Sequence, residues 1–159
     1  MTRTFVLDEG VVISAHTGID PNTGEESDEA YALIVCLGRH RHRVGWNYEA
    51  WDRYQKKVNQ HHDGGNRPHV LQLLRNLASD SEIFRFVYDD EILPLEHPTE
   101  LPADDHLWIR LTITLSADFA TTDGRLIMAA QRSEHYRHLV SSMHLVPEAL
   151  PLACDPDGR

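Results

Sequence analysis

The stretch Ala117-Asp118-Phe119-Ala120-Thr121-Thr122-Asp123-Gly124-Arg125-Leu126 begins like a buried strand and ends in a polar turn. Its apolar first half predicts a β-strand around Phe119 to Thr121, and Asp123-Gly124 is typical of a turn. An acid therefore follows the carboxyl end of a strand, where a sheet opens to solvent. An acid in this position is typical of open parallel sheets, which bind ligands beyond the carboxyl ends of their strands.

Strand-like and helix-like segments alternate along the rest of the chain. Short apolar runs at 5–7, 44–46 and 83–88 predict strands, and Asn47 is a good cap for a helix through about Val58. Ser27 is the expected N-cap of an earlier helix, and Pro68 is expected to open a later one. A last helix is expected through Tyr136. Such alternation predicts an α/β fold, a three-layer α/β/α sandwich with a mainly parallel central sheet.

Length and composition are those of one ordinary globular domain. The chain has 159 residues, of which 41% are hydrophobic and 25% are charged. We assign the domain to residues 1–150 and a C-terminal tail to residues 151–159. The net charge of -10 argues against a protein that holds nucleic acid by bulk electrostatics alone.

The cysteines and the apolar runs bear on the compartment. Cys36 and Cys154 lie far apart in apolar surroundings, so we expect neither a disulfide framework nor a C-x-x-C metal site. No apolar run is long enough to cross a bilayer, and the amino end lacks the apolar region of a secretory signal. These observations predict a cytoplasmic protein without a membrane partner.

Acids lie at several predicted strand ends and helix starts. Asp8 ends the first strand, Asp105 opens a helix, Asp123 follows the last strand quoted above, and Asp52 or Glu49 lies early in the helix after Trp46. Ligands gather beyond the carboxyl ends of strands in open parallel sheets, so these acids are expected to converge there. Carboxylates brought together repel, and a divalent cation is their usual stabiliser. The pattern suits metal-assisted hydrolysis of phosphodiesters.

Four segments, in this order, resemble the PIN-domain family: Phe5-Val6-Leu7-Asp8, Asp105-His106-Leu107-Trp108-Ile109-Arg110-Leu111-Thr112, the stretch 117–126 quoted above, and Met143-His144-Leu145-Val146-Pro147-Glu148-Ala149. The resemblance spans nearly the whole chain. It implies a small α/β/α nuclease that acts on RNA with Mg²⁺ or Mn²⁺. It further implies a homodimer and a toxin role with an antitoxin partner.

The resemblance also implies a role for individual residues. Asp8 matches the first acid of the family, Asp105 the third and Asp123 the fourth. Thr121 matches the small hydroxyl residue two positions before the last acid and is expected to contact the substrate. The second acid of the family is usually a Glu on a helix, and Asp52 matches it best. Glu49, one helical turn earlier, is the alternative. Residues 20–26 depart from the family pattern as an inserted polar loop.

Each acid also has a simpler interpretation. Asp8 and Asp105 are good helix caps, Asp123 before Gly124 is a good turn residue in any protein, and Asp52 is spaced to pair with Lys56 one turn on. Taken singly, these acids would therefore indicate only caps, turns and surface ion pairs.

The densest basic run lies just before the second predicted site helix. It contains Arg39 and Arg41, for which we weigh contact with RNA phosphates against a solvated helix end. His40 and His42 alternate in the same run, and His61-His62 follow, which makes zinc conceivable. No cysteine pair and no H-E-x-x-H motif accompanies these histidines.

Three functions remain open. The first is a metal-dependent ribonuclease in which Asp8, Asp52, Asp105 and Asp123 hold one or two ions. The second is a non-catalytic RNA- or protein-binding module of the same fold. The third is a phosphatase with Asp8 as covalent nucleophile, although such enzymes usually have a second Asp two residues on, where this chain has Gly10.

Overall fold

The computed structural model describes residues 2–61 and 69–155. The strands are β1 (Thr4–Leu7), β2 (Arg43–Trp46), β3 (Phe84–Phe86), β4 (Asp118–Thr121) and β5 (Met143–Leu145). The helices are α1 (Glu9–Thr17), α2 (Glu29–Arg39), α3 (Tyr48–Gln60), α4 (Val70–Ala78), α5 (His106–Leu115), α6 (Gly124–Arg132) and α7 (Val146–Cys154). Short 3₁₀ segments occur at Pro98–Glu100, Ala103–Asp105 and Arg137–Ser142.

The five strands form one sheet in the order β3-β2-β1-β4-β5, and every neighbouring pair is parallel. The quoted stretch supplies β4, which pairs with β1 in the register Phe5 to Asp118, Val6 to Phe119 and Leu7 to Ala120. The predicted α/β fold with a mainly parallel sheet is thereby confirmed. The two strands that carry the first and last predicted acids lie side by side in its middle.

Helices pack on both faces of this sheet, as β2 shows. Gly45 faces α5, and a Cβ atom there would overlap the Leu115 side chain, so a glycine is needed for the helix to approach this closely. The next residue, Trp46, faces the other way, with its ring centroid 5.7 Å from Trp51 and 6.2 Å from Tyr54 of α3. This arrangement is consistent with three layers.

Several helix limits differ from the predicted ones. Asn47 caps α3 as predicted, its side chain accepting a hydrogen bond of 2.9 Å from Ala50 N, and the helix extends to Gln60. Asp28 rather than Ser27 precedes α2. α6 ends at Arg132, so the predicted helix through Tyr136 is shorter. Pro68, the predicted start of α4, lies outside the described residues.

The C-terminal segment is more ordered than the sequence suggests. The expected terminal turn at 147–150 is the first part of α7, which continues to Cys154 and packs along α2. The tail predicted from residue 151 therefore begins inside a packed helix. Among the described helices, none is both long and apolar enough to span a bilayer.

The prediction that the two cysteines do not pair is wrong. Cys36 of α2 and Cys154 at the end of α7 form a disulfide, with their Cα atoms 5.2 Å apart. The helix pair brings together residues that are 118 positions apart in the sequence, a proximity that spacing alone does not indicate. The cysteines consequently give no support to a reducing compartment, since disulfides persist mainly in oxidising ones.

A buried histidine also links the end of α7 to the amino-terminal segment. His42 Nδ1 accepts a 3.0 Å hydrogen bond from Arg3 N, which leaves Nε2 to donate to the Ala153 carbonyl at 3.0 Å. Burial lowers the pKa of His42, so the ring stays neutral in this position. Both ring nitrogens are thus used, and the zinc alternative at His42 is not supported.

Breaking the disulfide should destabilise the fold. A disulfide contributes roughly 2–4 kcal/mol, and chain entropy places a loop of this length at about 5 kcal/mol, mainly by restricting the unfolded chain. We expect reduction, or Cys36→Ser, to lower the free energy of unfolding by a similar amount, which is measured as a lower midpoint of urea unfolding. The Cys36→Ser protein should then be insensitive to added reductant. Two freely reactive thiols in the native protein, with no response to reductant, would contradict the pairing.

Candidate carboxylate site

The candidate site lies at the carboxyl ends of β1 and β4. The chain fills one half of the sheet from β1 to β3 and the other half from β4 to β5, so the strand order reverses between β1 and β4. Ligands of open α/β sheets bind in the crevice outside such a switch point. Asp8 and Asp123 follow the two strands that border it.

Asp8 is fixed by the elements on either side of it. It is the N-cap of α1, where Oδ1 accepts a 3.0 Å hydrogen bond from Val11 N, and its own amide donates to the Ala120 carbonyl at 3.1 Å. Oδ2 accepts a hydrogen bond from the Thr121 hydroxyl. The residue is only 6% exposed, so both hydrogen bonds offset the desolvation of a buried carboxylate.

Thr121 connects the two acids that flank the switch point. Its hydroxyl donates to Asp8 and accepts a 2.9 Å hydrogen bond from Asp123 N. The Thr121 side chain is fully buried, so the hydroxyl satisfies its hydrogen bonds within this link. The predicted role of Thr121 as a contact for substrate is therefore better described as positioning the acids.

Gly10 allows α1 to approach the turn after β4. A Cβ atom at this position would overlap the Thr122 hydroxyl and would lie 3.1 Å from Asp8 Oδ1. No larger side chain fits without displacing the turn. The second acid that the phosphatase alternative requires therefore has no space at this position unless the Thr122 side chain moves, which is a further argument against that alternative.

The acids at this edge repel one another. Burial raises the pKa of Asp8 from 3.8 to about 7, against the effect of the Thr121 and Val11 hydrogen bonds, and the charges of Asp105 and Glu9 raise it further. Burial also raises the pKa of Asp105, and the charge of Asp123 acts in the same direction. Asp105 occupies the N-cap position of α5, as predicted, but its side chain makes no capping hydrogen bond there.

Asp123 carries its own counter-charge. Its Oδ1 accepts from Arg125 N at 2.9 Å and from Arg125 Nε at 3.0 Å, and Oδ2 accepts from Arg125 Nη2 at 3.0 Å. This pairing lowers the pKa of Asp123. The Arg125 side chain is 85% exposed, so solvent screens the pair and another ligand can replace the guanidinium at little cost.

The structure separates the two candidates for the second acid. Asp52 pairs with Lys56 at 2.8 Å and lies on the side of α3 opposite the buried residues Ala50, Tyr54 and Val58. It is therefore not brought to the site.

Glu49, whose side chain is 54% exposed, is linked to the start of α5 through Arg53. It accepts a 3.0 Å hydrogen bond from Arg53 Nη2, and Arg53 Nη1 donates to the Asp104 carbonyl at 2.8 Å. Arg53 also lies over the Trp108 ring, with its guanidinium carbon 5.7 Å from the ring centroid. Glu49 is thus connected to the segment that carries Asp105.

The basic run lies at the other end of the sheet. Arg39 ends α2 and Arg41 precedes β2, so both are at the amino end of a strand, whereas the acids follow carboxyl ends. Arg41 pairs with Glu82 and, at 3.4 Å, with Asp80. The predicted substrate contacts of Arg39 and Arg41 are therefore not supported by their position.

The polar loop predicted as an insertion covers one side of the site. Asn22 donates a hydrogen bond to the Thr122 carbonyl, and a bridge between Ile19 and Glu26 closes the loop. A hollow lies between this loop, the turn at Asp123 and the start of α7. This hollow gives a ligand access to Asp123 from solvent.

The four predicted acids do not form a compact metal cluster. In residues 2–61 and 69–155, the only group of at least three His, Cys, Asp or Glu side chains with ligand atoms within 4.8 Å of one another is His97, Glu100 and His135. These three residues were not among those predicted from the sequence. His97 and Glu100 are only three residues apart, but His135 comes from a distant segment, so spacing along the chain does not reveal the group.

Comparisons of the chain with protein-family models, with curated proteins and with solved structures each find no match. The resemblance to PIN domains therefore rests on the segments quoted from the sequence.

Asp8 should reduce stability at neutral and alkaline pH. Because its pKa is raised, the folded protein keeps a proton between about pH 3.8 and 7 that the unfolded chain has lost, so the free energy of unfolding falls as pH rises through this window. Asp8→Asn removes the cost of the buried charge. We expect it to raise the free energy of unfolding by roughly 1–4 kcal/mol above the window and to change it little below the window.

The exposed Asp52→Asn provides the matched control, since its carboxylate is not buried. Urea unfolding on both sides of the pH window measures the difference. An equal effect of the two substitutions, or a gain for Asp8→Asn that does not depend on pH, would contradict this interpretation of Asp8.

Proposed function

We propose that the protein is a metal-dependent ribonuclease that hydrolyses phosphodiester bonds at the carboxylate site. The observation that supports this most directly is the hydrogen-bonded link from Asp8 through Thr121 to Asp123 at the switch point of the sheet. A buried acid with a raised pKa at the carboxyl edge of a parallel sheet is a feature that marks candidate functional sites.

The donor chemistry fits Mg²⁺ or Mn²⁺. The acids at this edge offer only oxygen ligands, which these hard cations prefer, and the mutual repulsion of Asp8, Asp105 and Asp123 would be relieved by a cation. Asp8, Asp105 and Asp123 would hold the ion, and Glu49 is the fourth candidate in place of Asp52. A bound ion would supply an activated water and would offset charge on the phosphate.

The residues around the acids have separate tasks in this proposal. Thr121 and the amino end of α1 keep the Asp8 carboxylate in one orientation. Arg125 neutralises Asp123 in the free protein, and cation binding releases its exposed guanidinium for a substrate phosphate. Arg53 holds Glu49 beside the segment that carries Asp105.

An aromatic surface at the same edge favours RNA as the substrate. Tyr48 follows β2 and Tyr88 follows β3, with 71% and 59% of each residue exposed. Phe86 lies between them, 4.7 Å from the Tyr48 ring and 4.8 Å from the Tyr88 ring. Exposed rings in a row are suited to stacking on unpaired bases.

The aromatic surface is close enough to the acids to share one substrate. Neighbouring strands are about 4.8 Å apart, and only β2 lies between β3 and β1. Arg75, which lies over the Trp51 ring at 6.0 Å, adds a positive charge to this surface. A single strand of RNA bound here would run toward Asp8.

The first test is cleavage of labelled single-stranded and hairpin RNA with Mg²⁺ or Mn²⁺. We expect cleavage to be abolished by EDTA and to fall at least about 100-fold in Asp8→Asn, Asp105→Asn and Glu49→Gln, because each removes a charged ligand. Asp52→Asn, the matched control on the same helix, should keep full activity.

The outcome also separates the two remaining functions. Equal cleavage by wild type and Asp8→Asn, purified identically, would indicate a contaminating nuclease and would overturn the proposal. Binding of RNA without cleavage would favour the non-catalytic module, which the distance between the acids and the pairing of Asp123 with Arg125 also suit. A toxin role, an antitoxin partner and a homodimer rest on the resemblance alone and stay predictions.

The aromatic surface can be tested by binding alone. Stacking of one base on an aromatic side chain contributes roughly 1–3 kcal/mol, so Tyr48→Ala and Tyr88→Ala should each weaken binding of single-stranded RNA by about 5-fold or more. Asp8→Asn should not weaken binding in this way. Fluorescence anisotropy with labelled RNA measures the change, and unchanged affinity in both tyrosine variants would exclude this surface as the RNA contact.

A further inference from the structure

A second group of metal-ligating side chains lies away from the carboxylate site. His97 and Glu100 belong to the connection between β3 and α5, and His135 follows α6. His135 Nδ1 is 2.5 Å from Glu100 Oε2, and His97 Nδ1 is 3.8 Å from the same oxygen. The two imidazole rings stack with their centroids 3.4 Å apart and their planes 13° apart. The three ligand atoms lie within 4.8 Å of one another, and the stacked rings would have to turn for both Nδ1 atoms to bind one ion.

The carboxylate in this group is held in place by its other oxygen. Glu100 Oε1 accepts a 2.8 Å hydrogen bond from the Ser133 hydroxyl and a longer one, 3.4 Å, from His135 N. Oε2 remains directed at the two imidazoles. The Ser133 hydrogen bond is the largest cause that lowers the pKa of Glu100 to about 2, so the carboxylate is ionised throughout the neutral range.

The backbone that carries His97 is anchored as well. His97 N donates a 3.0 Å hydrogen bond to the Tyr136 hydroxyl, and Tyr136 N in turn donates to the Ser133 hydroxyl at 3.0 Å. Ser133 and Tyr136 are both buried. Polar groups around the ligands thus fix both segments, as is usual for the outer partners of metal ligands.

We propose that His97, Glu100 and His135 form a Zn²⁺ site, with His97 Nδ1, Glu100 Oε2 and His135 Nδ1 as ligands. Two imidazoles and one carboxylate are a ligand set typical of zinc, whereas Mg²⁺ prefers oxygen ligands alone. Three protein ligands leave one tetrahedral position for water. A hollow that is lined by Leu93, Glu96, Ile113 and His138 opens beside His97 and His135.

The distances support this assignment. Ligand atoms about 2.0–2.1 Å from a tetrahedral zinc ion are roughly 3.3 Å from one another. Binding would lengthen the 2.5 Å separation between Glu100 Oε2 and His135 Nδ1, shorten the 3.8 Å separation between Glu100 Oε2 and His97 Nδ1, and rotate the stacked rings until both Nδ1 atoms point at the ion. The ligands are partly exposed, so an ion can enter from solvent.

A bound zinc ion would link two segments that are distant in the sequence. Glu100 lies only five residues before Asp105, and the 3₁₀ segment Ala103–Asp105 leads directly into α5. Zinc would therefore fasten the connection that places Asp105 to the segment after α6. The acids Asp8 and Asp123 take no part, so the zinc site does not depend on the proposed ribonuclease activity.

The test uses the full, untagged chain after removal of metal with a chelator. Calorimetric titration with Zn²⁺ at neutral pH should show one site per chain, and Co²⁺ should give the absorption of a tetrahedral complex. His97→Ala, His135→Ala and Glu100→Gln should each weaken zinc binding at least about 10-fold. The melting temperature of the wild type should rise with zinc concentration.

Two control variants show whether the ion is bound by these three residues or elsewhere. His138→Ala removes a histidine from the neighbouring hollow but not from the ligand set, and Asp8→Asn alters the carboxylate site alone, so both should bind zinc as the wild type does. Circular dichroism establishes that each variant is folded. No stoichiometric binding, or equal affinity in wild type, His135→Ala and Glu100→Gln, would overturn the proposal, as would loss of binding in Asp8→Asn.

Discussion

The pairing of β1 with β4 is the constraint on which the rest of the structure depends. It joins residues more than a hundred positions apart, buries Phe5 to Leu7 and Phe119 to Thr121 in the centre of the sheet, and sets the point at which the strand order reverses. The Asp8 amide and carboxylate continue this pairing one residue beyond the strands, to Ala120 and Thr121. Fold and candidate site are therefore formed by the same set of contacts.

Some of this arrangement could be predicted from the sequence because it is local. Apolar runs mark both central strands, Asn47 caps α3, and acids next to strand ends indicate the edge where they lie. What could not be predicted depends on how helices are rotated and packed. Glu49 and Asp52 are three residues apart on α3 and similarly exposed, and only the contact of Arg53 with the Asp104 carbonyl links Glu49 to the start of α5. The disulfide and the histidine pair likewise depend on contacts between distant segments.

Charge explains why the two candidate sites differ. The acids of the carboxylate site lie in a chain with a net charge of -10, and their counter-ions are the exposed Arg125 on Asp123 and Arg53 on Glu49. The electrostatic energy of this site is unfavourable until a cation arrives. At the histidine site a single carboxylate faces two imidazoles, so no second carboxylate repels it within the group. A hard cation suits the first environment and a borderline one suits the second.

The disulfide divides the chain in a way that concerns the site. It closes residues 36–154 into a covalent ring, while β1 and α1 remain outside that ring as a linear segment. Asp105, Thr121 and Asp123 belong to the ring, and Asp8 belongs to the linear segment. Strand β1 therefore occupies the centre of the sheet although it lies outside the ring, whereas the other four strands lie within the ring. The carboxylate site exists only while these two topologically different parts of the polypeptide are docked.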